Sequence, residues 1–148
     1  MLKPLFGYSL MCMSLVILGS CGGKSQESSA MTQVLTIGEV TTAIDSSKDS
    51  LVAFDMYADW CGPCRALTPT LEKVALATKG KVTFYRVNTD QVPEAAQLFG
   101  VRGIPFIVFV KNKQVVATYT GVQPEETYLG AIRQFSGLSP SSGQSGKM

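Results

Sequence analysis

The stretch LVAFDMYA, from Leu51 to Ala58, restricts the fold more than any other part of the chain. It is apolar at almost every position and rich in β-formers, the pattern of a strand covered on both faces. One charge, Asp55, sits inside it. Such a strand needs helices above and below its sheet, and the neighbouring segments supply them. From Cys61 to about Thr78 the apolar positions Leu67, Leu71, Val74 and Ala75 fall at helical spacing. Val34 to Ile37 reads as a short strand, Glu39 to Ser46 as a helix, Lys81 to Val87 as a strand and Glu94 to Phe99 as a short helix. Phe106 to Val110 and Gln114 to Thr120 are two more strands, joined by a hairpin turn at Lys111, Asn112 and Lys113. Pro124, Glu125 and Glu126 open a last helix, with acids where the helix dipole favours them. The order βαβαβαββα predicts an α/β fold: a central mixed sheet, parallel at first and closed by an antiparallel hairpin, with helices on both faces.

A chain of 148 residues holds one such domain and leaves no room for a second. Lys3 precedes an apolar run from Leu10 to Leu18, shorter than the roughly 20 residues of a membrane span, which predicts a signal peptide over residues 1–20. The run ends in Leu18-Gly19-Ser20-Cys21, which resembles the lipobox of bacterial lipoproteins and implies that Cys21 is lipidated as the mature N-terminus. A plain secretory signal with Cys21 incidental is the alternative. Residues 21–30 would form a flexible tether, residues 31–137 the domain, and the Ser- and Gly-rich residues 138–148 a disordered tail. Cys12 leaves with the signal, and with Cys21 lipidated the free thiols that remain are Cys61 and Cys64.

Thirteen Lys and Arg against eleven Asp and Glu leave a charge of +2 with no block of like sign, so nothing marks a nucleic-acid partner. The chain has no His, which removes Ser-His-Asp and Cys-His mechanisms and every His-containing metal site. Acid and base chemistry falls to carboxylates and thiols. The thiols stand in Trp60-Cys61-Gly62-Pro63-Cys64. Two cysteines three apart at the start of a helix share one face at about 5 to 6 Å, within disulfide range. Cys61, at the helix N-terminus, meets unpaired N–H groups and the positive end of the dipole, both of which favour a thiolate. Cys64, one turn inward, is the natural resolving thiol, and Pro63 costs nothing in the first turn. A zinc knuckle would need about four ligands, and a mature chain with no His and no further free Cys cannot supply an ordinary site. A permanent disulfide across so short a loop would add little stability. The pair reads as redox active, with no metal and no organic cofactor expected.

Placed after a strand and opening a helix, WCGPC resembles the active-site motif of the thioredoxin family, and the resemblance runs from the first strand to the last helix. It implies a thioredoxin fold. Asp55, six residues before Cys61, falls on the buried acid that in this family helps deprotonate the resolving cysteine. Burial in an apolar strand would by itself raise its pKa toward neutrality. The alternative is a structural acid paired with Arg86, which stands where the family usually has Lys and whose permanent charge would hold Asp55 lower. Gly103-Ile104-Pro105 resembles the family's cis-proline loop, which offers backbone groups to an extended substrate. Trp60, Gly62, Pro63, Ile104, Gly121 and Val122 would then surround Cys61 with a flat, largely apolar docking patch. Pro69 matches the proline that bends the family's long helix. Tyr57 stands where a Trp is often found and Lys113 where the hairpin usually has Gly; neither is expected to touch the mechanism.

The function this implies is a protein-disulfide reductase of the bacterial cell envelope. Its partners would be disulfide-bearing envelope proteins and a membrane electron donor of the thiol-disulfide type, with the chain monomeric and held to the membrane by lipid. Gly22 after Cys21, in place of Asp, favours the periplasmic side of the outer membrane over the inner membrane. A disulfide-forming oxidase or isomerase, and a non-catalytic adaptor on the same fold, are the alternatives. Gly62-Pro63 and Ile104 resemble reductants more than oxidases.

Overall fold

A computed structural model describes residues 29–137, so the signal peptide, Cys21, most of the tether and the tail lie outside the described residues. The chain runs β1 (Thr32–Val34), α1 (Ile37–Ser46), β2 (Leu51–Tyr57), α2 (Gly62–Ala77), β3 (Val82–Asn88), α3 (Pro93–Leu98), β4 (Phe106–Lys111), β5 (Gln114–Thr120) and α4 (Glu125–Phe135). The sheet order is β1-β3-β2-β4-β5. β1, β3 and β2 are parallel, and β4 and β5 are antiparallel to their neighbours.

Successive side chains of a strand face opposite ways, so β2 feeds two cores. Leu51 and Ala53 pack with Ile107 and Phe109 beneath α2 and α4, where they meet Leu67, Leu71, Val74, Tyr128 and Ile132. Val52, Phe54 and Met56 pack on the other face with Val40 and Ala43 of α1 and Ala95 of α3. Asp55 shares the parity of Leu51 and Ala53 and so belongs to the face of α2. Pro69 lies inside α2, where its missing N–H removes one helical hydrogen bond.

The first strand differs from the sequence reading. It ends at Val34 instead of covering Val34 to Ile37, because Thr36 caps α1. The Thr36 hydroxyl accepts from Glu39 N at 3.2 Å while the Glu39 carboxylate accepts from Thr36 N at 3.0 Å, a reciprocal capping box that stops the strand. Ser29 and Ala30, assigned to the tether, are bound to the domain: both donate to the Glu72 carboxylate of α2, Ala30 N at 2.7 Å.

Asn112 and Lys113 turn the β4-β5 hairpin with φ of 52° and 63°, a conformation that favours glycine. Ser47 holds them there. Its carbonyl accepts from Asn112 N at 2.8 Å and its hydroxyl accepts from Lys113 N at 2.8 Å. The same buried hydroxyl donates to Ile44 O at 2.6 Å. Ser47→Ala leaves Lys113 N without its side-chain acceptor, while Ile44 O keeps the Ser47 N–H at 3.0 Å, and is expected to cost about 1 kcal/mol in urea unfolding, with the m-value unchanged. A loss below a few tenths of a kcal/mol would mean that the hairpin supports itself.

Candidate active site

β2 ends at Tyr57, and the chain turns through Ala58, Asp59 and Trp60 to enter α2. Cys61 is the N-cap residue, with extended backbone at φ −76° and ψ 103°. Its Sγ accepts the N–H of Cys64 at 3.2 Å, the role a Ser or Asp oxygen plays at other helix starts. Cys61 and Cys64 are joined as a disulfide, with their Cα atoms 5.3 Å apart. Opening the bond leaves Cys61 Sγ beside the same N–H groups, which favour its thiolate. Gly62 and Pro63 are exposed at the helix mouth, while both cysteines are almost covered and Ile104 packs against them.

The peptide bond between Ile104 and Pro105 is cis. Pro105 O accepts from Gly121 N at 2.8 Å, which ties the segment after β5 to the proline loop. Gly121 takes a φ of +77° there, open to glycine at little cost. Gly103 and Val122 are exposed on either side, and Trp60 is 70% exposed. The indole of Trp60 donates to Asp90 Oδ2 at 2.8 Å. Asp90 N in turn donates to Asn88 Oδ1 at 2.9 Å, and Asn88 Nδ2 donates to Asp59 Oδ2 at 3.1 Å. Asp59, Asn88 and Asp90 were not legible as site residues, since each is an ordinary turn residue until the fold brings them together.

Asp55 is buried in β2, paired in register with Arg86 on β3. Arg86 Nε donates to Asp55 Oδ2 at 3.0 Å, and this is the one hydrogen bond of the Asp55 carboxylate among the described residues. Arg86 Nη2 also donates to Thr68 Oγ1 at 3.4 Å, and Thr68 donates to the carbonyl of Cys64 at 3.0 Å. The guanidinium lies 4.0 Å from the centre of the Tyr57 ring, a cation–π contact. Tyr57 thus touches the partner of the buried acid. An open cavity of about 350 Å³ borders Arg86, Thr68, Tyr57 and Arg65, on the guanidinium side of the pair. Burial pushes the Asp55 carboxyl above its ordinary pKa, and the Arg86 charge offsets this only in part.

Residues 32–134 match the family model described as thioredoxin. The chain belongs to the thioredoxin family. It is 35% identical over 105 residues to the thioredoxin of Haemophilus influenzae, a match covering 70% of this chain and 98% of that one. It is 34% identical over 106 residues to the chloroplastic M-type thioredoxin of Pisum sativum, covering 67% of this chain and 62% of that one. Among solved structures, Fasciola hepatica thioredoxin superposes with a TM-score of 0.66 at 31% identity, covering 71% of this chain and 99% of that one. With its cysteine pair at disulfide distance in WCGPC, the chain is a thiol-disulfide oxidoreductase of this family.

The buried acid of this thioredoxin-family site carries a pH signature. A carboxyl whose pKa rises on folding contributes stability fully below its unfolded value of about 3.9 and loses it as pH climbs through the folded value. Asp55→Asn is neutral at every pH. It is expected to melt a few degrees above wild type at pH 8, with no advantage at pH 3. A variant less stable than wild type at pH 8 would mean that attraction to Arg86 outweighs desolvation.

Proposed function

We propose that the protein reduces disulfides in proteins of the bacterial cell envelope, held to the membrane by lipid on Cys21. The observation that carries the thiol chemistry is Cys61 as N-cap of α2, its sulfur already accepting the N–H of Cys64. Cys61 is the nucleophile. Its thiolate attacks one sulfur of a substrate disulfide; a Cys61–substrate S–S bond forms, the substrate bond breaks, and the other substrate sulfur leaves as thiolate. Cys64 gives its proton to the Asp55 carboxylate, directly or through water, and attacks Cys61 Sγ. The second substrate thiol is released, and two electrons have passed from the Cys61/Cys64 dithiol to the substrate. Asp55 suits this role because its raised pKa makes it a better proton acceptor near neutrality than an ordinary carboxylate.

Trp60, Gly103, Ile104, Gly121 and Val122 form the docking face, with the backbone beside Pro105 open to an extended chain. A membrane electron donor of the thiol-disulfide type would restore the dithiol. The anchored reading fits the geometry of entry. Ser29 and Ala30 bind Glu72, ten residues after Gly62 on α2 and so about 15 Å along the helix from the cysteines. A tether arriving there leaves the docking face unobstructed.

One experiment in cells separates the two halves of this reading. Cys64→Ala is expected to accumulate envelope proteins joined to Cys61 through disulfides that dithiothreitol releases. Folded Cys64→Ala without such adducts would contradict the reductase. Labelled palmitate is expected on wild type and absent from Cys21→Ser, which should retain its signal peptide. Normal processing of Cys21→Ser to a soluble product would contradict the anchor.

A further inference from the structure

α4 carries a fully buried tyrosine, Tyr128, where an apolar ring would fill the core equally well. Its ring is held on edge by Tyr119 at 5.8 Å, Tyr119 by Phe109 at 6.1 Å, and Phe109 by Phe84 at 6.3 Å. This chain of edge-to-face contacts runs through the core beneath α2 and α4 and leaves the Tyr128 ring little freedom. The hydroxyl needs a separate reason, because burying a phenol oxygen is costly unless it is hydrogen-bonded. It accepts the N–H of Gln123 at 3.3 Å. Burial pushes its pKa up, so it stays a neutral phenol.

Gln123 follows Gly121 and Val122, the last part of the docking face. The segment is anchored on both sides of Val122: Gly121 N donates to Pro105 O at 2.8 Å, and Gln123 N donates to Tyr128. The Gln123 side chain donates back to Thr120 O at 3.1 Å, and Pro124 next in line has no N–H to offer. With both flanking amides committed, Val122 is left 52% exposed beside the Gly121–Pro105 bridge.

We propose that Tyr128 is a positioning residue for protein substrates, its buried hydroxyl holding the Gly121–Gln123 segment in the shape that receives an extended polypeptide beside Cys61. The inference rests on the docking face described under the proposed function. Tyr128 is not placed to touch the reacting sulfurs, so it governs how well a polypeptide is seated and leaves the thiol chemistry alone. A low-mass disulfide, which needs no extended docking face, is indifferent to it.

Tyr128→Phe removes one oxygen and keeps the ring stack. Two substrates are compared: insulin, reduced with dithiothreitol as the terminal reductant, and 2-hydroxyethyl disulfide, followed by its second-order rate with the dithiol. Wild-type turnover of these substrates reports the thiol chemistry itself, and the variant-to-wild-type ratio reports Tyr128. The variant is expected to raise the KM for insulin three- to tenfold with kcat within twofold, and to leave the low-mass rate within twofold. Hydrogen exchange at the Gln123 amide is expected to accelerate. Equal losses on insulin and 2-hydroxyethyl disulfide would overturn the proposal, as would faster exchange at Gln123 with an unchanged KM for insulin.

Discussion

Every feature of this site depends on the unpaired N–H groups at the N-terminus of α2. A helix start must find acceptors for them, and here a sulfur is the capping atom, with Cys61 Sγ taking the N–H of Cys64. That single contact sets the orientation of both cysteines, gives Cys61 a reason to hold negative charge, and explains why Pro63 is harmless in the first turn. Only a strand fixed by two cores can deliver the turn of Asp59 and Trp60 to the same place in every molecule, and Asp59 and Trp60 are then held through Asn88 and Asp90.

The cost of this arrangement is a carboxylate inside the sheet. Asp55 faces α2 because β2 alternates, and the apolar layers that fix the strand strip the acid of water. Arg86 compensates from the adjacent strand, though its guanidinium is shared among Asp55, Thr68 and the Tyr57 ring and reaches an open cavity. Desolvation outweighs the partial offset from Arg86 and leaves the carboxyl raised. Tyr57 and Arg86 are in direct contact, the guanidinium 4.0 Å from the ring centre.

Much of this was legible in the sequence because its signals are local. The helical spacing from Leu67 to Ala75, the apolar run from Leu51 to Ala58 and the WCGPC motif each name their structure within a short window. The start of α1 was missed although its signal was equally local: Thr36 and Glu39 form a capping box, but the apolar residues Leu35 and Ile37 read as a continuation of the strand. What was not legible is contact across the chain. Nothing in the sequence marks Asp90 as the partner of Trp60, Thr68 as the link from Arg86 to Cys64, or Tyr128 as the acceptor for Gln123, because each pairing arises only when strands and helices are stacked. Tyr128 in particular sits among Ala131 and Ile132 as one more residue on the buried face of α4.

The central claim is that the helix start and the buried acid divide labour between two cysteines that differ little in sequence context. The most direct measurement is the rate of alkylation at each cysteine of the reduced protein from pH 5 to 10, resolved by mass spectrometry. The account predicts that Cys61 ionises below the free-thiol value of about 8.5 and reacts first at neutral pH, with Cys64 slower throughout. Equal rates at both cysteines, each following an ionisation near 8.5, would contradict it.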